Sequence, residues 1–214
     1  MQNLIIVLAE FVSKGDQAVD SEFEFEAPMW NQIYKMLLNL AEKIRKNGFT
    51  PDVIVGVSRG GWPPARVLSD LLDNPNLANV KAEFYLGVAE TKEEPVLTQP
   101  VSTTVSGKRV LVVDEIADTG ESLKLVKAHL IERGAVEVKI ATIYYKPWSI
   151  VTPDYYEKKT SNWVIFPWEI KETIHKIVKR YKEEKIVREK MEKLVKAGIA
   201  AKLVEKFWKE IREE

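Results

Sequence analysis

Residues Arg109 to Leu125 read RVLVVDEIADTGESLKL, and the fold is decided there. Val110, Leu111, Val112 and Val113 form an unbroken apolar run, which predicts a buried parallel strand. Asp114 and Glu115 put two carboxylates at the carboxyl end of that strand. Ile116 to Ser122 is a small, hydroxyl-rich turn, and Ser122 is expected to cap a helix running through Leu123, Val126 and Leu130. In an open α/β sheet, ligands sit just outside the carboxyl ends of strands. A helix amino terminus adds unpaired N–H groups and partial positive charge, which suits a phosphate. Thr119 and Ser122 can donate hydroxyl hydrogen bonds, and Gly120 lets the backbone come close. Two acids ahead of such a cradle suit a sugar phosphate: carboxylates for ring hydroxyls or a metal, the loop for the phosphate.

The flanking sequence extends the pattern. Pro51 to Val57, PDVIVGV, predicts a second buried strand. It runs into Ser58-Arg59-Gly60-Gly61 and then a helix carrying Ala65, Val67, Leu68, Leu71 and Leu72. Val80 to Leu86 predicts a third strand, and Ala135 to Tyr145 another, after a helix that stops at Arg133-Gly134. Strands alternating with helices predict a doubly wound parallel α/β sheet. Ahead of these, Ala27 to Asn47 predicts a helix with Pro28 in its first turn and Asn47-Gly48 as its stop. Trp30, Ile33, Tyr34, Leu37, Leu38, Ala41 and Ile44 are expected on one face of it. Residues 1–26 suggest a strand and a loop. Gly87 to Lys108 is long and polar, which fits a functional flap or a surface hairpin. Lys146 to Glu169 breaks the alternation with prolines, tryptophans and tyrosines. After Glu169 the chain is helical and highly charged. One apolar stripe holds Ile174, Ile177, Val178 and Tyr181; another holds Leu194, Val195, Leu203, Val204, Phe207, Trp208 and Ile211, with a break at Gly198. Those stripes need cover.

Composition narrows the function classes. The chain has 214 residues, 45% of them hydrophobic, enough for a substantial core. Its 32 basic and 32 acidic side chains balance, so no nucleic-acid partner or membrane surface is expected. Cysteine is absent, which removes disulfides and thiol nucleophiles. The apolar start, Leu4 to Leu8, is too short to span a bilayer and lacks a basic leader, so a cytoplasmic enzyme is expected. Neither G-x-G-x-x-G after a strand nor G-x-x-x-x-G-K-[ST] occurs. His129 and His175 both fall in helical stretches and are read as structural.

Four apolar residues, two acids, an apolar residue, a variable one and then Asp-Thr-Gly-Glu-Ser resemble the phosphoribosyl-pyrophosphate (PRPP) motif of type I phosphoribosyltransferases. Ser58-Arg59-Gly60-Gly61 resembles the pyrophosphate loop of the xanthine–guanine branch, where a non-proline cis peptide is common; here it would be Ser58–Arg59. Lys146 to Glu169 resembles the purine-binding hood of the 6-oxopurine enzymes. The resemblance implies a purine phosphoribosyltransferase domain over 1–170, with its hood at about 146–170 and a helical extension at 171–214. It implies that Ser58, Arg59 and Gly60 hold pyrophosphate and that Asp114 and Glu115 hold the ribose hydroxyls. Ala117, Asp118, Thr119, Gly120, Glu121 and Ser122 would cradle the 5′-phosphate, with Asp118 also the catalytic base. Lys146 would donate to the purine O6, Trp163 would stack on the base, and Val164 would read its edge through main-chain groups. Mg²⁺ would arrive with PRPP, with Glu169 as a further ligand. Ile165 departs from the pattern, because the xanthine–guanine enzymes place an acid there. Adenine specificity and a non-catalytic PRPP- or nucleotide-binding regulator are the alternatives. A homodimer or higher homo-oligomer is expected.

Overall fold

The structure is a computed structural model in which residues 24–86 and 93–213 are described. The amino-terminal readings up to Phe23, and residues 87–92 of the polar stretch, lie outside the described residues. Elements run β1 (Phe25–Glu26), α1 (Trp30–Lys46), β2 (Val53–Ser58), α2 (Trp62–Leu71), β3 (Leu77–Leu86), β4 (Glu93–Gln99) and β5 (Arg109–Ala117). They continue with α3 (Glu121–Glu132), β6 (Glu137–Tyr145), β7 (Tyr155–Lys159), β8 (Trp163–Val164), α4 (Ile170–Arg180), α5 (Glu184–Lys196) and α6 (Ala201–Glu213). Among the described residues, no helix is long and apolar enough to cross a membrane.

Two compact units emerge. Residues 33–160 form one; the described residues before 33 and those from 161 onward form the other. In the 33–160 unit a six-stranded sheet has the order β4-β3-β2-β5-β6-β7. All pairs are parallel except β3–β4, an antiparallel hairpin formed by part of the predicted flap. From β2 the chain adds β3 on one side, then crosses to add β5, β6 and β7 on the other. The switch point therefore lies between β2 and β5. At such a point the loops leaving neighbouring strands diverge to opposite faces and open a crevice at the carboxyl ends. Val110 to Val113 are at most 1% exposed, as a strand covered on both faces requires.

Two expectations need correction. Strand β5 does not give way to a turn at Ile116; it continues past both acids to Ala117, because β6 keeps offering partners, Thr142 to Asp114 and Tyr145 to Ala117. Along α1, Ile33, Leu37, Leu40, Ala41 and Ile44 are buried, but Trp30, Tyr34 and Leu38 are exposed. The apolar residues of α1 span more than one face, and only the face carrying Ile33, Leu37, Leu40, Ala41 and Ile44 is buried.

The second unit has its own core. Strands β1 and β8 pair in parallel, Phe25 with Trp163 and Glu26 with Val164. Ile165, Ile170, Ile174, Ile177, Val187, Met191, Leu194, Ile199, Val204 and Ile211 pack with Ala27 into one apolar cluster. The charged tail is thus amphipathic, and its stripes are covered within this unit except at Val195, which is exposed because it lies off the buried Met191–Leu194 face of α5. Gly198, at φ +116°, makes the predicted break.

Candidate active site

The two loops flanking the switch point are built on each other. The peptide bond Ser58–Arg59 is cis, where the resemblance put it. Arg59 is exposed at the loop's tip. A side chain on Gly60 would run into the Glu115 carboxylate. A Cβ on Gly61 would lie 2.7 Å from the Val57 carbonyl and 2.8 Å from Asp114 Oδ1. At Gly61 the nearest atoms are the Val113 and Val57 carbonyls, so the backbones of β5 and β2 leave no room for a side chain, whereas at Gly60 the Glu115 carboxylate fills the space. Gly61 N–H donates to Val57 O at 2.8 Å, which closes the turn into α2.

Asp114 Oδ1 accepts the Glu115 N–H at 3.0 Å. Glu115 Oε2 is shut off from solvent and has no hydrogen-bond partner among the described residues. Burial pushes the Asp114 carboxyl up to about 6. Burial, and then the neighbouring Asp114 charge, push Glu115 well above the usual carboxylate range. Two carboxyls enclosed side by side resist ionising together. A ligand that brings hydroxyl donors or a cation would relieve them both.

After Ala117 the chain turns into α3. Gly120 sits at the helix N-cap in the left-handed region, φ +83°, and Ser122 lies inside the first turn. The expectation that Ser122 caps the helix is therefore wrong: the turn demands a positive φ, which Gly supplies cheaply. Thr119 Oγ1 accepts the Glu121 N–H at 3.3 Å. A Cβ on Gly120 would come within 2.6 Å of Ser149 Oγ and 2.8 Å of Val151 N. The loop after β6 thus backs the cradle. Lys146 N–H donates to Ala117 O at 2.9 Å, and Ile150 N–H to Thr119 O at 2.8 Å.

Lys146 is 4% exposed, and its ammonium lies 5.1 Å from the centre of the Trp148 ring. Asp118 is exposed and accepts a hydrogen bond from Trp148 Nε1 at 3.0 Å. The 33–160 unit therefore brings together Ser58, Arg59, Gly60, Asp114, Glu115, Ala117 to Ser122 and Lys146. Trp148 was missed in the sequence. Only its place two residues after Lys146 hinted at it, in a segment whose turns defeat periodicity.

The other expected residues lie in the second unit. Trp163 N–H donates to Glu24 O and Ile165 N–H to Glu26 O, so the Val164 main-chain groups face away from β1. Trp163 is half-buried. Ile165 is 1% exposed in the apolar cluster. Glu169 Oε1 accepts the Phe166 N–H at 3.0 Å. No group of three or more potential metal ligands occurs among the described residues. His129 Nε2 accepts the Val101 N–H at 3.3 Å, a structural role.

A recess of about 570 Å³ opens beside Asp52, Asp73, Asn74 and Lys108, at the opposite ends of these strands. Its polar groups are engaged, Asn74 Nδ2 donating to Pro51 O and Asp52 Oδ2 accepting the N–H of neighbouring Arg109, and no helix begins there.

Comparison with known proteins agrees with this geometry. The family model described as "Phosphoribosyl transferase domain" matches residues 29–175. The xanthine-guanine phosphoribosyltransferase of Cereibacter sphaeroides is 30% identical over 149 residues, covering 66% of this chain and 84% of that protein. That of Gluconobacter oxydans is 28% identical over 142 residues, 65% of this chain and 82% of that protein. A solved purine phosphoribosyltransferase from Pyrococcus horikoshii is 41% identical, with a TM-score of 0.62 over 68% of this chain and 93% of its own. A switch-point crevice with an acid pair against a glycine loop, and a family match over most of the chain, lead to one conclusion: this protein belongs to the phosphoribosyltransferase family.

Proposed function

We propose that the protein transfers the 5-phosphoribosyl group from PRPP to a purine base, releasing pyrophosphate and forming the nucleoside 5′-monophosphate. One observation carries this reading: the Ser58-Arg59-Gly60-Gly61 loop is pressed against the Asp114–Glu115 pair at the switch point. That contact supports a reading in which an anion-binding loop, two hydroxyl acceptors and a phosphate-binding helix start serve pyrophosphate, ribose and 5′-phosphate in turn. Arg59 and the loop amides hold pyrophosphate, Asp114 and Glu115 take the ribose hydroxyls, and Ala117 to Ser122 cradle the 5′-phosphate. In the reaction the bond from C1′ to the pyrophosphate oxygen breaks as base N9 attacks C1′. Asp118 accepts the proton that the purine gives up, from N7.

The names of the relatives support a purine. Lys146, a buried donor two residues from a contact of Asp118, supports a 6-oxopurine, because its ammonium matches a carbonyl. Trp163 and Val164 are proposed to stack on the base and to read its edge. Ile165 stands where the resemblance puts an acid near the purine 2-position, a departure that weakens the case for xanthine and guanine and leaves hypoxanthine favoured.

The donor set suits Mg²⁺ carried by the substrate rather than a protein cage: it offers an orphaned Glu115 oxygen and few clustered carboxylates. Glu169 is proposed as a further ligand. When bound, the ion would neutralise pyrophosphate charge. A cytoplasmic homo-oligomer completes the proposal, supported by the cysteine-free composition and by exposed Trp30, Tyr34 and Leu38 along α1. Light scattering tests the assembly.

Pyrophosphate release with PRPP, Mg²⁺ and hypoxanthine, guanine, xanthine, adenine or uracil tests the function. Turnover is expected with 6-oxopurines, fastest with hypoxanthine. Turnover with adenine alone would remove Lys146 from base reading. PRPP binding without turnover on any base would make the chain a regulator.

A further inference from the structure

We infer that Trp148 is a positioning residue that aims Asp118 and steadies Lys146, linking the groups proposed to handle the base proton and the base carbonyl. The inference rests on the function proposed above. Three successive rungs join the loop after β6 to the turn after β5. Lys146 N–H meets Ala117 O, Trp148 Nε1–H meets Asp118 Oδ1 at 3.0 Å, and Ile150 N–H meets Thr119 O. The outer rungs are backbone bonds. The middle one is a side chain reaching the Asp118 carboxylate. Asp118 is exposed, so without that bond its side chain would rotate freely among solvated rotamers. An indole N–H is a donor only, so it can fix one carboxylate oxygen and cannot compete for the base's proton. Oδ2 takes no hydrogen bond from a described residue, which leaves one oxygen of the pair to accept that proton.

The ring of the same side chain does a second job. The Lys146 ammonium stands 5.1 Å from its centre. The face of an indole attracts a cation, most strongly where water is excluded, and Lys146 is buried. One rigid aromatic thus sets the distance between a base-accepting oxygen and a carbonyl-reading ammonium. A purine presents N7 and O6 on one edge, so that distance is what the pair must match.

Two variants separate these roles. Trp148→Phe keeps a ring over Lys146 but removes the N–H. Trp148→Leu removes both. The backbone rungs remain in each, so the fold is expected to survive, and a thermal melt checks it. Hypoxanthine turnover should show a kcat for Trp148→Phe reduced about 10- to 100-fold, with KM for PRPP changed less than about twofold. Trp148→Leu should add a rise of about fivefold in KM for the base. In an Asp118→Asn background, Trp148→Phe should lower kcat by less than about twofold more, because the group it aims is gone. Equal losses in the two backgrounds, or normal kcat for Trp148→Phe beside a crippled Asp118→Asn, would overturn the inference alone. A wild-type protein that turns over no base would sink the proposed function, and the inference with it.

Discussion

At the scale of single residues, Asp114 and Asp118 are two acids in different surroundings. Burial pushes the Asp114 carboxyl up to about 6, above its ordinary value of 3.8. Between those values the folded state binds more protons, so this group's contribution to stability is lost as pH rises through the window. Asp114→Asn removes that cost and keeps an oxygen for the Glu115 N–H. The variant should match wild type in melting temperature near pH 4 and exceed it by a few degrees at pH 7, with ligands absent. Equal melting temperatures at both pH values would show that the pair ionises freely. Asp118 is exposed, and its one hydrogen bond from a described residue comes from Trp148. Asp118→Asn preserves an acceptor for that bond but cannot take a proton. Its kcat should fall by roughly two orders of magnitude or more, with PRPP affinity and melting temperature nearly unchanged. Lower melting temperature with normal turnover would make Asp118 structural.

At the scale of elements, the site depends on loops that leave no room for a side chain. Gly60 gives way to the Glu115 carboxylate, Gly61 to the Val113 and Val57 carbonyls, and Gly120 to the loop after β6. Gly120 also has a left-handed backbone, φ +83°. Gly120→Ala therefore meets both strain and collision. It should cost about 1–3 kcal/mol in denaturant melts and raise KM for PRPP at least tenfold, because the cradle must shift. A variant with wild-type stability and KM would mean that the loop after β6 moves aside without consequence. The antiparallel β3–β4 hairpin belongs to the same scale. It realises the hairpin reading of the polar stretch, and its connecting residues 87–92 lie outside the described structure.

At the scale of the whole molecule, the tail beyond Glu169 is core-forming. Leu194 is fully buried among residues of α4, α5 and α6 together with Ala27 and Ile165. Leu194→Ala should cost about 2–5 kcal/mol, read from denaturant melts by tryptophan fluorescence. A loss under about 0.5 kcal/mol would mean that these helices pack loosely. Much of the fold was legible without coordinates. The apolar runs at 53–57 and 110–113, the acid pair, the Thr-Gly turn and the breaks at Gly134 and Gly198 all follow from neighbours a few residues apart. Chain order then supplied the parallel sheet, since short crossovers allow few topologies. Other features came only with tertiary structure. Strand β5 runs on through its acids because β6 continues the ladder. Tyr34 and Leu38 stay exposed because only the Ile33, Leu37, Leu40, Ala41 and Ile44 face of α1 is buried. Trp148 finds Asp118 across 30 positions of sequence. Local periodicity and turn chemistry are written in consecutive residues; strand length, the choice of buried face and a side-chain bond between two loops depend on surfaces that meet only once the chain has folded.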